Sequence, residues 1–157
     1  MIRHAIAEER QPDQDDASRA LTDEGVARMK QIVRGLRRLD VQIARVLTSP
    51  WTRALETAQR VARLTDTRPV VTDLLCQAPR AELLALISEG SEPTAVVGHE
   101  PWLSELIAWL LLGDLRRGEA FALKKGGVAE LSGSAVPGGM VLRALHPPRA
   151  LRRLGQR

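Results

Sequence analysis

The sequence is poor in cysteine, in aromatic side chains and in long apolar runs. Its one cysteine, Cys76, excludes an intrachain disulfide and is typical of a reducing cytosol, so we expect a cytoplasmic location. Cys76 has no cysteine partner for a metal site, and the three histidines lack the His-x-x-x-His spacing that would put two on one helix face. We therefore expect neither a metal nor another cofactor.

The apolar runs are too short for a membrane span. The longest, from Leu106 to Leu112, has seven residues, whereas a transmembrane helix needs about 20. Charge begins at Arg3, which leaves no apolar segment typical of a signal peptide. We expect no membrane partner.

The basic charge is modest and contains little lysine. The sequence pI is about 10.2 and the net charge is +4. Of 23 basic residues only Lys30, Lys124 and Lys125 are lysines, and the arginines are interspersed with 19 acidic residues. Aromatic side chains make up 3% of the chain, which leaves few platforms for stacking bases. We expect no nucleic-acid partner.

Runs of strand length alternate with stretches of helical periodicity, which predicts an α/β fold in one domain, 1–157, with a C-terminal tail at 147–157. We expect a three-layer sandwich with a mostly parallel central sheet, helices on both faces and antiparallel edge strands toward the C-terminus. The predicted helices are 22–39, 51–64, 79–88 and 102–112, with one short helix in the tail. The predicted strands are 43–47, 69–72, 94–97, 120–123, 128–131 and 140–145.

Three short motifs place a histidine or an arginine where an apolar run gives way to a turn or a helix. They are Arg3-His4-Ala5, Gly98-His99-Glu100 and the segment 49–58, which has Arg53 near its start. Ligands of open α/β sheets bind outside the carboxyl ends of the strands, so we expect all three motifs at one edge. Two imidazoles and two guanidiniums suit a phosphoryl group, because an imidazole can attack phosphorus while arginines hold its oxygens.

The three motifs in this order resemble the histidine phosphatase superfamily, and among its branches the small SixA-type phosphohistidine phosphatases. The resemblance extends from Ile2 to about Pro148. It implies that a partly solvated, neutral His4 is the nucleophile, that Arg3 and Arg53 bind the phosphoryl oxygens, and that His99 is the second imidazole of the pocket. Arg19 matches an arginine of the SixA-type loop that can approach the phosphate, with a flexible surface arginine as the alternative.

The chain departs from the family pattern at two places. Larger members carry a carboxylate after the third strand to protonate an alkoxide leaving group, but the segment 74–79 contains none after Asp73. A phosphoramidate releases imidazole, a better leaving group that needs less acid assistance. In the family a full apolar strand also precedes the Arg-His pair, whereas here only Met1 and Ile2 do. We therefore expect that residues preceding Met1 are missing from this sequence.

Other candidate residues are given structural roles. We expect Glu100 to cap a helix or support the site indirectly, Cys76 to be a small core residue, and His146 to be structural. Trp102 and Trp109 lie seven residues apart on one predicted helix, and we expect both to pack against the body of the protein.

The resulting hypothesis is a monomeric, metal-independent phosphatase that removes the phosphoryl group from phosphohistidine on a protein. By resemblance its partner is a histidine phosphotransfer domain. A phosphatase of small phosphate esters is the alternative within the same chemistry. A phosphate-binding or scaffold protein without turnover is the alternative from another class.

Overall fold

The computed structural model describes residues 1–156, which alternate between strands and helices. The strands are β1 (Ile2–Arg3), β2 (Arg45–Thr48), β3 (Val70–Val71), β4 (Thr94–Gly98), β5 (Val128–Gly133) and β6 (Met140–His146). The helices are α1 (Asp23–Arg38), α2 (Thr52–Val61), α3 (Ala81–Ser88), α4 (Trp102–Leu112) and α5 (Pro148–Gln156). Short 3-10 helices cover Asp16–Ser18, Ala62–Leu64, Asp73–Leu75 and Leu115–Phe121.

The six strands form one sheet in the order β3-β2-β4-β1-β5-β6. Strands β1, β2, β3 and β4 all run parallel to one another. Strand β5 pairs antiparallel with β1, and β6 pairs antiparallel with β5. The predicted fold class is therefore confirmed, including the antiparallel edge near the C-terminus.

Alternating strand residues bury two apolar layers on opposite faces of the sheet. Val46 and Val97 contribute to one cluster with α1, α2 and α5, while Leu47 and Val96 contribute to another with α3 and α4. Successive strand side chains point to opposite faces, so the inner residues of β2 and β4 are apolar, and Arg45, Thr48 and Thr94 lie at the strand ends.

Local signals set the bounds of the helices. The Thr22 hydroxyl accepts a hydrogen bond from the Gly25 N–H and caps α1, whose Met29, Ile32 and Leu36 form its buried stripe. Gly113 ends α4 in the left-handed conformation, with φ of 73°. Both of these ends were predicted from the sequence.

The predicted strand 120–123 is wrong. The chain instead forms the 3-10 helix Leu115–Phe121, which begins where the Asp114 side chain accepts a hydrogen bond from the Arg116 N–H. Its Gly118 lies so close to α4 that a Cβ there would be 3.0 Å from the Glu105 backbone nitrogen. Side-chain capping and packing on α4 thus outweigh the apolar character of the segment.

Strand β1 is short, and a cavity of about 800 Å³ lies beside it, lined partly by the first half of β4 and by β5. The Met1 amino group donates to the Ala129 carbonyl at 2.7 Å. Burial lowers the pKa of this amino group from 8.0 to about 5. Neither His4 nor His99 lines the cavity, so it is separate from the predicted site.

Within residues 1–156, no helix combines the length and the apolar character needed to cross a membrane.

Candidate active site

The parallel strands bring the three sequence motifs together at the carboxyl edge of the sheet. His4 follows β1 and His99 follows β4, and their ring centroids are 5.1 Å apart. Pairing of the two strands continues to this point, because the His4 N–H donates to the Gly98 carbonyl at 3.0 Å. Arg53, in the first turn of α2, places its Nε 3.3 Å from His4 Nε2.

The tautomer of His4 is set by the backbone carbonyl of the next residue, Ala5. Nδ1 lies 2.7 Å from the Ala5 carbonyl oxygen. Because a carbonyl can only accept, Nδ1 carries the proton and Nε2 is unprotonated. The Nε2 lone pair accepts a hydrogen bond from the Arg53 Nε–H.

His4 is more buried than the sequence predicted. Its exposure is 6%, so the expected partly solvated histidine is not found. Burial lowers the pKa of His4 from 6.5 to about 4; the Ala5 carbonyl opposes this shift, and the positive charges of Arg53 and Arg3 add to it. His4 is therefore neutral at physiological pH.

His99 is also buried and neutral. Its exposure is 3%, and burial, followed by the effects of His4 and Arg53, lowers its pKa from 6.5 to about 3. Nε2 lies 2.8 Å from the Ser49 hydroxyl oxygen. Nδ1 is buried and has no hydrogen-bond partner within residues 1–156.

Arg53 is held by a carboxylate that the sequence analysis did not identify. Its side chain is 4% exposed, and its Nη1 and Nη2 donate to the Asp16 carbonyl at 2.5 Å and to Asp16 Oδ2 at 2.7 Å. Burial tends to raise the pKa of Asp16, but hydrogen bonds and positive charge from Arg53 and Arg19 outweigh it and lower that pKa. Asp16 is thus an ionised acceptor for Arg53, the residue that contacts His4.

Asp16 also orders Arg19, because Arg19 Nε donates to Asp16 Oδ1 at 2.9 Å and Arg19 Nη1 donates to the Glu8 carbonyl at 2.8 Å. Arg19 is therefore anchored and not a flexible surface arginine. Its spacing of three residues from Asp16 was the signal in the sequence that could have revealed the pair.

Arg3, the last residue of β1, directly precedes His4. Its Nη1 donates to the Leu123 carbonyl at 2.5 Å, and its Nε is buried without a hydrogen-bond partner within residues 1–156. Burial lowers the pKa of Arg3, and the negative charge of Glu100 opposes this change. Its positive charge contributes to the low pKa values of both His4 and His99.

Ser49 and Cys76 lie beside His99. The Ser49 hydroxyl accepts from the Trp51 N–H at 3.1 Å and lies 3.2 Å from the Cys76 sulfur. Cys76 is half-buried and belongs to none of the apolar clusters of the described chain, so its expected core role is wrong. The reason is that it follows the turn after β3, where the chain runs along the edge of the site.

Two tryptophans also meet at the site. The Trp51 ring centroid is 4.4 Å from that of His99, and the Arg53 guanidinium lies 4.6 Å from the Trp51 ring centroid. Trp102 is 6.2 Å from His99 and 5.8 Å from Trp51. Trp109 packs on an apolar cluster as expected, and Trp102 packs against Trp51 and His99 at the site.

Glu100 and His146 have the structural roles expected of them. Glu100 Oε2 accepts from the Ser104 N–H and hydroxyl in the first turn of α4, and Oε1 accepts from the Leu123 N–H at 2.7 Å. His146 pairs with Glu130 between β6 and β5 at 2.5 Å.

The arrangement is suited to an anion. The neutral imidazoles of His4 and His99 lie next to each other, the Arg53 guanidinium contacts His4, and the positive charge of Arg3 acts on both rings. Planar guanidiniums bind phosphate by paired hydrogen bonds. In residues 1–156, no group of three or more His, Cys, Asp or Glu side chains is placed to hold a metal ion.

Comparison with known proteins agrees with this arrangement. Residues 1–77 match the model of the histidine phosphatase superfamily (branch 1). An uncharacterized protein of Picosynechococcus sp. is 33% identical over 142 residues, which cover 85% of this chain and 84% of that protein.

Solved structures show the same fold over nearly the whole chain. The protein histidine phosphatase SixA complexed with tungstate is 25% identical, with a TM-score of 0.77 and 96% of each chain covered. A SixA structure from Agrobacterium tumefaciens is 23% identical, with a TM-score of 0.74 and coverage of 92% and 93%. A phosphoserine phosphatase of Entamoeba histolytica is 18% identical, with a TM-score of 0.70 and 96% of each chain covered. The chain therefore belongs to the histidine phosphatase superfamily, is of its SixA type, and is a phosphatase.

Proposed function

We propose that this phosphatase cleaves the P–N bond of phosphohistidine on a protein, with His4 as its nucleophile. The observation that carries the proposal is the bond from His4 Nδ1 to the Ala5 carbonyl, which leaves Nε2 unprotonated. In the first step a bond forms between Nε2 and phosphorus while the P–N bond of the substrate breaks. Water then attacks phosphorus and the bond between phosphorus and Nε2 breaks, which releases inorganic phosphate and restores neutral His4, while the proton lost by the water leaves with the phosphate or to solvent.

Arg53, Arg3 and Arg19 are proposed to bind the phosphoryl oxygens. Arg53 lies beside the attacking nitrogen, and its position in the first turn of α2 adds the favourable field of a helix N-terminus. A phosphoryl group that binds Arg53 competes with the Asp16 carboxylate for its donors. Its binding therefore changes the contacts of the segment that carries Asp16.

His99 is proposed to donate from Nδ1 to a phosphoryl oxygen. Nδ1 is buried and unpartnered within the described chain, which costs free energy unless a ligand supplies an acceptor. Ser49 holds the other ring nitrogen at 2.8 Å and so fixes the ring. A fixed donor aimed at developing negative charge stabilises the transition state.

The scarcity of acidic residues after β3 favours phosphohistidine over an alkyl ester as the substrate. Asp73 is exposed, and no other acidic residue follows β3 before α3 begins at Ala81. Imidazole leaves as a neutral molecule when its ring is protonated before the bond breaks, so it needs little acid assistance. The similar SixA structure is that of a protein histidine phosphatase, which supports phosphohistidine on a protein as the substrate. By resemblance, a histidine phosphotransfer domain is the proposed partner.

Turnover of a protein phosphorylated on histidine should be measured beside that of p-nitrophenyl phosphate and an alkyl phosphate. His4→Ala should abolish turnover and the acid-labile phosphoenzyme, while His146→Gln, a change outside the site, should keep both. Turnover that survives in His4→Ala would refute the covalent route. Alkyl phosphate hydrolysis as efficient as that of the phosphoprotein would favour a phosphatase of small esters instead. Binding of phosphate with no turnover of any substrate would favour the non-catalytic alternative.

A further inference from the structure

Aromatic side chains are scarce in this protein, yet two of them meet at the candidate site. The chain has three tryptophans, one phenylalanine and no tyrosine. All four are partly exposed, but Phe121 and Trp109 pack against apolar clusters of the described chain, whereas Trp51 and Trp102 pack against each other and against His99. Two indoles that contact a histidine of the site and no apolar cluster indicate a binding role.

Trp51 and Trp102 both lie beside the imidazole ring of His99, which is next to His4. Trp51 and Trp102 lie nearly edge to face at 67°, with centroids 5.8 Å apart. Their centroids are 4.4 Å and 6.2 Å from that of His99. Because Arg53 contacts both Trp51 and His4, a phosphoryl group bound by Arg53 has the Trp51 indole next to it, and Trp102 lies behind Trp51 and His99.

We propose that Trp51 and Trp102 form a leaving-group subsite that selects a planar aromatic ring, with imidazole as its natural occupant. This inference rests on the proposed function and names what that function recognises beyond phosphorus. Aromatic rings attract one another edge to face or in offset stacks at centroid distances of about 4.5–7 Å. An imidazolium, the protonated ring of phosphohistidine, is also attracted to the face of an indole.

Two substrates with the same type of bond isolate the contribution of the ring. Phosphohistidine and unsubstituted phosphoramidate both contain a P–N bond, but only the first releases an aromatic ring. In Trp51→Leu and Trp102→Leu, kcat/KM for phosphohistidine should fall about 10-fold, the scale of one lost aromatic contact. For phosphoramidate it should fall by less than about 2-fold, since no ring contact is lost.

Two further variants act as controls. Trp109→Leu removes an indole from the same helix as Trp102 but outside the site, and should leave the ratio of the two kcat/KM values unchanged. Trp51→Phe keeps an aromatic ring and should keep most of the preference for phosphohistidine. Circular dichroism confirms that each variant is folded before its kinetics are compared.

Each result discriminates between explanations. Equal losses on both substrates would overturn the subsite and would show that Trp51 acts by positioning Arg53 and His99. Unchanged kinetics in both leucine variants would also overturn it. A wild-type protein that hydrolyses p-nitrophenyl phosphate but not phosphohistidine would refute the proposed function and this imidazole subsite together. Turnover of phosphohistidine without any effect of the tryptophans would refute the subsite alone.

Discussion

Acidification should destabilise the folded protein, because two buried imidazoles stay neutral in it. His4 and His99 are 6% and 3% exposed, with pKa values lowered by burial to about 4 and about 3. In the unfolded chain each histidine regains its ordinary pKa of 6.5. Between these values the unfolded chain binds protons that the folded protein excludes.

The sign and the size follow from this difference in bound protons. The contribution of each neutral histidine to the free energy of unfolding is fully present above the pKa that the histidine has in the unfolded chain. It is lost as pH falls toward the pKa in the folded protein. At about pH 5 each histidine should lower the free energy of unfolding by about 2 kcal/mol compared with its value at about pH 8. The loss from His4 levels off near pH 4 and that from His99 near pH 3.

Urea unfolding at about pH 8 and about pH 5 measures this loss in the wild type and in single variants. His4→Asn keeps a donor for the Ala5 carbonyl, and His99→Gln keeps a polar group near Ser49. Between about pH 8 and about pH 5, the free energy of unfolding of each variant should fall by about 2 kcal/mol less than that of the wild type, because one titrating group is absent.

The control is His146→Gln, which removes a histidine outside the site. A free energy of unfolding that falls equally with pH in the wild type, His4→Asn and His99→Gln would refute the reasoning. That result would mean that both site imidazoles titrate in the folded protein as they do in water.

Three further predictions concern the site. Arg53→Ala should raise the activation free energy by about 3 kcal/mol or more, because a donor to the transferring group is lost. Steady-state kinetics would detect this change, and an effect on thermal stability alone would contradict the prediction. Asp16→Ala should lower the free energy of unfolding by about 2 kcal/mol, because the buried guanidinium of Arg53 loses a charged acceptor, and an unchanged urea midpoint would argue against it. Rates on aryl phosphates should rise steeply with the acidity of the phenol, since no carboxylate is proposed to protonate the leaving group; rates independent of that acidity would indicate a proton donor.

The sequence alone predicted the fold class and most of its elements. Alternating strand and helix patterns, the Thr22 cap and the Gly113 stop are local features that depend on nearby residues. The convergence of His4, Arg53 and His99 on one edge also followed from the sequence, because parallel strands align their carboxyl ends. The catalytic roles assigned to these residues stay predictions.

The tertiary structure decided what local patterns do not encode. The helix Leu115–Phe121 replaces a predicted strand because it packs on α4, a contact that its own apolar pattern does not reveal. The burial of His4 and the Nδ1 tautomer depend on the carbonyl of Ala5 and on the packed strand ends around it.

The same holds for the partners of Arg53. Asp16 reaches this guanidinium from the 3-10 helix Asp16–Ser18, and Trp51 reaches it from the position before α2. Neither residue type signals the contact by itself. Burial strengthens hydrogen bonds and charge interactions between groups far apart in sequence, but only after the sheet and helices have packed. The sequence therefore determined which chemistry could assemble, and the packing of the chain decided which groups hold it in place.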